Sequence, residues 1–174
     1  MHKFTQQRND YCEPFIVLTT LSLERVVGGQ YNIFLIYTMN NVQQVKVELH
    51  NGGFRLADSV KIEGLNPKAL MLCAAGQCTG FTIMSILRKD NITPKVLEIT
   101  VEGWLDTPTL KPSSKYEKFK VSYNVECHKI NEQDIVSDAV LEAQTKTCGV
   151  IAMLRKIAPV DHDISIVSTE TQNI

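Results

Sequence analysis

From Asn66 to Lys89 the chain runs for about 22 residues almost free of charge, longer than any buried strand, and this limits the possible folds. Asn66 has the side chain of a helix N-cap, and Pro67 suits the first helical position, where its missing N–H costs nothing. Arg88 and Lys89 close the segment, where cations complement the negative end of the helix dipole. Between these ends every face is apolar or small, which predicts a helix buried on all sides. Its length would cross a bilayer. Gly76, Gln77, Thr79, Gly80, Thr82 and Ser85 dilute it, so the expectation is a core helix and no membrane partner.

The rest of the chain supplies what such a helix would pack against. Segments 15–23, 31–37 and 45–49 read as strands, with turn signals at Gly28-Gly29, Asn40-Asn41 and Asn51-Gly52-Gly53. A short segment, 54–62, leads into the helix. After a break at 91–94, residues 96–104 and 116–127 alternate as two strands of a long hairpin. Phe119, Val121, Tyr123, Val125 and Cys127 share the apolar face of the second. Asn131 is expected to cap a helix over 132–146, with Ile135, Val136, Ala139, Val140 and Ala143 on one apolar stripe. Thr147 is expected to cap a short helix over 148–156, and Pro159 to end it before a last strand at 163–167. Strands followed by helices, with no repeat and no linker, predict one α+β domain over 1–174, with antiparallel sheets on a long central helix.

Composition narrows the function classes. With 44% hydrophobic and 21% charged residues and a net charge of −1, nothing favours a nucleic-acid surface. Met1 to Asp10 lacks the apolar core of a signal peptide, so a cytoplasmic location is expected. In that reducing setting the five cysteines, 12, 73, 78, 127 and 148, are free or catalytic rather than structural bridges. No pair is spaced C-x-x-C, and His50, His128 and His162 show no ligand spacing, so no metal or cofactor is implied.

Two of the cysteines stand out. Cys148 falls at a predicted helix start, where free N–H groups and the dipole favour a thiolate. Cys78 sits in the middle of the long helix among Ala74, Ala75, Gly76 and Gly80, which let other elements approach closely. It reads either as a small buried hydrophobe or, with Cys148, as a peroxidatic and resolving pair. Cys73 is five residues from Cys78, so roughly 140° around the helix, and reads as core. Cys127 reads as core as well, and Cys12 as incidental.

Asn66-Pro67, then an apolar run, then Cys78 eleven residues after the proline, resembles the signature of the OsmC/Ohr family of osmotically inducible and organic-hydroperoxide-resistance proteins. The continuation Thr79 to Lys89, the strand Val96 to Gly103, and Thr147-Cys148 before a final helix and strand are similar to that family in the same order. The resemblance implies an intertwined homodimer with central helices between two sheets and sites at the subunit interface. It also implies a thiol peroxidase acting on a hydroperoxide substrate, with Cys78 and Cys148 as catalytic residues. Cys78 would attack the peroxide, Cys148 would condense with the sulfenic acid, and a dithiol reductant such as a lipoyl group would reset the pair.

Two positions depart from that pattern. The organic-hydroperoxide branch carries an arginine after the paired glycines of its first hairpin and a glutamate after the helix-start proline. The corresponding positions here are Gln30 and Lys68. Without the arginine, Cys78 would stay a neutral thiol of pKa about 8.5 or higher, unless Lys68, Arg25 or Arg8 supplies the charge. Two readings are open at this point. One is a hydroperoxide reductase favouring organic peroxides, because Leu72, Phe81 and Met84 are apolar. The other is a dimer kept as a small-molecule-binding or redox-sensing scaffold.

Overall fold

A computed structural model of the chain describes residues 41–58 and 61–170. The chain divides into Met1–Tyr37 and Thr38–Ile174, and the described residues belong to the second unit. The strands expected at 15–23 and 31–37, with Cys12, Arg8, Arg25 and Gln30, lie outside them, and so does part of the expected single domain.

Strands β1 (Val42–His50) and β2 (Gly53–Leu56) form a hairpin around Asn51-Gly52. Both turn residues have positive φ (50° and 77°), as a two-residue loop matched to strand twist requires, and Asn-Gly is the pair that adopts it most readily. β3 (Val96–Leu105) pairs antiparallel with β1, and β4 (Tyr116–Cys127) pairs antiparallel with β3, giving the expected long hairpin. Alternation is clean along β3 and, in β4, from Phe119 onward, past the register shift at Trp104/Leu105. Leu97, Ile99, Val101 and Leu105 of β3 and Phe119, Val121, Tyr123, Val125 and Cys127 of β4 are buried. The opposite face is polar and carries cross-strand ion pairs such as Lys46–Glu98 and Lys118–Asp161.

The last strand corrects the expectation of a purely antiparallel arrangement. β5 (Val160–Ser168) lies parallel to β4, at the edge of one five-stranded sheet ordered β2-β1-β3-β4-β5. Parallel neighbours need a crossover, and the helical segment between β4 and β5 supplies it. That crossover consists of α2 (Gln133–Glu142), a π-helical turn (Ala143–Thr147) and α3 (Gly149–Ile157). The α+β class stands, and the crossover is what carries Cys148 back over the apolar face.

The long helix α1 (Pro67–Leu87) forms as expected. The Asn66 carboxamide oxygen accepts from the backbone N–H of Lys68 and of Ala69, both at 3.0 Å, and its Nδ2 donates to Gln43 Oε1 at 2.8 Å. A 3₁₀ turn at Arg88–Asp90 and a left-handed Asn91 (φ 55°) end it. By length and composition Pro67–Asp90 passes as a membrane span, yet one side of it is the core of this fold: Leu72, Ala75, Ile83 and Leu87 are fully buried. Gly76 and Gly80 let it sit close. A Cβ at Gly76 would come within 2.9 Å of Val47 on β1, and the Phe54 ring of β2 lies over Gly80.

Among the described residues of the single chain, burial of α1 is one-sided. Leu70, Met71, Ala74 and Phe81 are exposed in the single chain, with Phe81 52% accessible. Sheet and crossover helices cover one side of α1, and nothing among the described residues covers the other.

The two expected caps also moved. Asn131 lies inside a 3₁₀ turn (Ile130–Glu132), and the Glu132 carboxylate accepts from the backbone N–H of His128 and Lys129 instead. This turn delays α2 to Gln133. The π turn likewise absorbs Thr147, whose hydroxyl donates to the Glu142 carbonyl oxygen at 3.2 Å. Cys148, with extended backbone, is the N-cap of α3.

Candidate functional site

Two elements meet at the site. Cys78 opens the fourth turn of α1, on the border between its buried and exposed sides, and is half-buried. Cys148 is buried at the junction of the π turn and α3. The π turn is closed by the Cys148 N–H donating to the Ala143 carbonyl oxygen at 3.1 Å. Such a turn accommodates one residue more than an α-helical turn and so redirects the chain leaving it. Here it delivers Cys148 Sγ to 3.6 Å from Cys78 Sγ, across 70 residues of sequence. Both thiols are free. Cys73 and Cys127, buried elsewhere in the core, take no part; burial pushes both thiols up, with the Glu132 charge adding to the effect on Cys127.

Electrostatics at Cys78 are set by burial and the backbone. Burial is the largest influence and pushes its thiol above the ordinary value, and Cys148 pushes the same way through hydrogen bonding and charge. The backbone N–H of Val150, in the first turn of α3, pulls it down, as does the Thr82 hydroxyl. Thr82 already donates to the Cys78 carbonyl oxygen at 2.8 Å, so the Val150 N–H is the standing stabiliser of a thiolate. The helix start expected to serve Cys148 therefore acts on Cys78. No lysine or arginine acts on Cys78 among the described residues. The Lys68 ammonium points away, donating to the carbonyl oxygens of Lys111 (2.9 Å) and Pro112 (3.2 Å).

A buried polar cluster, unanticipated from the sequence, lies behind the thiols. Thr79 is fully buried, donates to the Ala75 carbonyl oxygen at 2.8 Å, and has its Oγ1 3.3 Å from Cys148 Sγ. The Tyr123 hydroxyl on β4 donates to Gln144 Oε1 in the π turn at 2.6 Å. Burial pushes the Tyr123 phenol far up, so it stays protonated as a donor. In the sequence Thr79 reads only as a residue diluting the helix, and Tyr123 as part of an apolar strand face. Gln144 reads only as one of several polar residues on its helix.

Expected walls of the site need one correction. Leu72 faces the sheet and is fully buried, whereas Phe81 and Met84 remain partly accessible. Phe81, three residues after Cys78, lies beside it on the helix surface. Among the described residues no cluster of His, Cys, Asp or Glu could hold a metal ion.

Residues 58–163 match the model of the OsmC-like protein family, and the chain belongs to that family. Among solved structures, a hypothetical protein from Aquifex aeolicus VF5 superposes with a TM-score of 0.53 at 25% identity, covering 74% of this chain and 96% of that one. An OsmC-like protein from Mycoplasma pneumoniae (TM-score 0.48, 14% identity) covers 72% of this chain and 95% of its own. An organic hydroperoxide resistance protein from Legionella pneumophila (0.45, 17%) covers 71% and 96% respectively. No curated protein matches the sequence.

Proposed function

We propose that this chain is a thiol peroxidase that reduces organic hydroperoxides, with Cys78 as the peroxidatic and Cys148 as the resolving cysteine. The observation that carries it is the 3.6 Å approach of the two free sulfurs, one of them half-accessible and the other buried behind it. The Cys78 thiolate attacks the outer oxygen of ROOH, the O–O bond breaks, and the alkoxide leaves, taking a proton from water to become ROH, with Cys78 as its sulfenic acid. The Cys148 sulfur then attacks Cys78 Sγ, forming the disulfide and releasing water. A dithiol, for which a lipoyl group is the proposed type, returns both thiols by exchange. Two relatives in structure bear names referring to organic hydroperoxide resistance, from Legionella pneumophila and Elizabethkingia anophelis, which agrees with this reading. Apolar Phe81 and Ala74 beside Cys78 favour an organic substrate over hydrogen peroxide.

The working form is proposed to be a homodimer in the cytoplasm. The apolar stripe of Leu70, Met71, Ala74 and Phe81 is what a second copy would bury, and it borders Cys78. A second reading, a redox-sensing scaffold in which the disulfide forms slowly, is favoured by the lack of a cation on Cys78 among the described residues.

Steady-state consumption of cumene hydroperoxide with dihydrolipoamide tests the proposal. Consumption faster than with hydrogen peroxide, and abolished by Cys78→Ser, is the expected result. A rate equal to that of the dithiol alone would leave only the scaffold reading.

A further inference from the structure

We propose that Thr79 positions the resolving thiol by accepting a hydrogen bond from the Cys148 S–H, while the Tyr123–Gln144 hydrogen bond pins the π turn that carries Cys148. The inference rests on the two-cysteine reading above and concerns its second step. The Thr79 hydroxyl proton is committed to the Ala75 carbonyl oxygen at 2.8 Å. Its oxygen, 3.3 Å from Cys148 Sγ, is therefore the acceptor and the thiol the donor. One S–H cannot serve two acceptors. The Cys148 S–H has the Cys78 sulfur in reach at 3.6 Å and the Thr79 oxygen at 3.3 Å; the oxygen is nearer and the stronger acceptor, and a proton held there leaves a Cys148 lone pair for Cys78. Thr79 is the next residue after Cys78 on the rigid helix, so the acceptor and the target are held as one unit.

The turn is held from the other side. Tyr123 projects from β4 and donates to Gln144 at 2.6 Å, and both side chains are almost fully buried. Among the described residues Gln144 Nε2 has no hydrogen-bond partner. A buried donor left unsatisfied is costly, and an apolar side chain of similar size would avoid the cost. What the glutamine gains is the bond through Oε1, and that bond fixes the turn whose last member precedes Cys148.

In the step itself, Cys148 Sγ attacks Cys78 Sγ, the S–S bond forms and the S–O bond of the sulfenic acid breaks. The departing hydroxide takes the proton from the Cys148 thiol as water, so no further oxidant is required.

The test is rapid-quench mass spectrometry of the reduced full chain with one equivalent of cumene hydroperoxide, monitoring Cys78 sulfenic acid and the disulfide separately. Thr79→Val, which keeps the shape and removes the acceptor, should slow disulfide formation at least tenfold and let the sulfenic acid accumulate. Thr79→Ser should restore the rate, which a purely structural role would not predict. Tyr123→Phe should slow the same step severalfold. Diamide, which activates a thiol without a peroxide, keeps the two ideas apart. If diamide closes the disulfide slowly in Thr79→Val and fast in wild type, the positioning role stands even should peroxide fail to react. Wild-type disulfide rates in Thr79→Val under both oxidants would overturn the inference and leave the peroxidase reading intact.

Discussion

At the residue scale the question is how much thiolate Cys78 carries. Burial and the neighbouring thiol raise its pKa, and against them stands the Val150 N–H. The thiolate is the nucleophile, so a raised pKa means a small reactive fraction near neutrality and a rate that grows with pH. Oxidation or alkylation of Cys78 should therefore climb about tenfold per unit from about pH 7 to about pH 9, measured with iodoacetamide by peptide mass spectrometry. A plateau already reached below neutrality would mean that a stronger influence than the Val150 N–H stabilises the thiolate. Cys148→Ser should leave the first oxidation in place and stop at the sulfenic acid, trapped with dimedone. Lys68→Ala should leave the Cys78 pH profile unmoved, because its ammonium is bound to the 111–112 carbonyls.

At the scale of elements, α1 is the most legible part of the sequence, because its signals are local. The cap, the proline at the first position and the uncharged run all lie within it. Replacing Asn66 by Ala removes the acceptor for two backbone N–H groups and the donor to Gln43, and should cost about 1–2 kcal/mol in chemical denaturation. Gly76 is the close-approach point. Gly76→Val puts a branched side chain against Val47 and Val101, both held in the sheet, and should destabilise by about 2–3 kcal/mol with an unchanged denaturant slope. Features that depend on distant pairing do not read from the sequence. The direction of β5 is set by the crossover, not by residues 160–168 themselves. The displaced caps are set by the 3₁₀ and π turns, whose extra or missing residue leaves no compositional mark on Asn131 or Thr147.

At the scale of the whole molecule, the open apolar face of α1 is the main unfinished feature. The sequence points to burial on all sides, and among the described residues nothing covers the side bearing Leu70, Met71 and Phe81. Sedimentation should give twice the 19.6 kDa chain mass, and Met71→Glu should shift the protein toward monomer. The site is half legible. Family resemblance names Cys78 and Cys148, and the fold brings them together, but the residues around them cannot be picked out from the sequence. Thr79, Tyr123 and Gln144 each look ordinary on their own element and acquire a role only when β4, α1 and the π turn meet.

The most direct test of the two-cysteine chemistry is the mass of the reduced protein, digested without reductant, after one equivalent of an organic hydroperoxide. A single product is expected, the peptide pair joined through Cys78 and Cys148, formed before any change at Cys73 or Cys127. Oxidation scattered over the cysteines, or a Cys78 that reacts no faster than a free thiol, would contradict it.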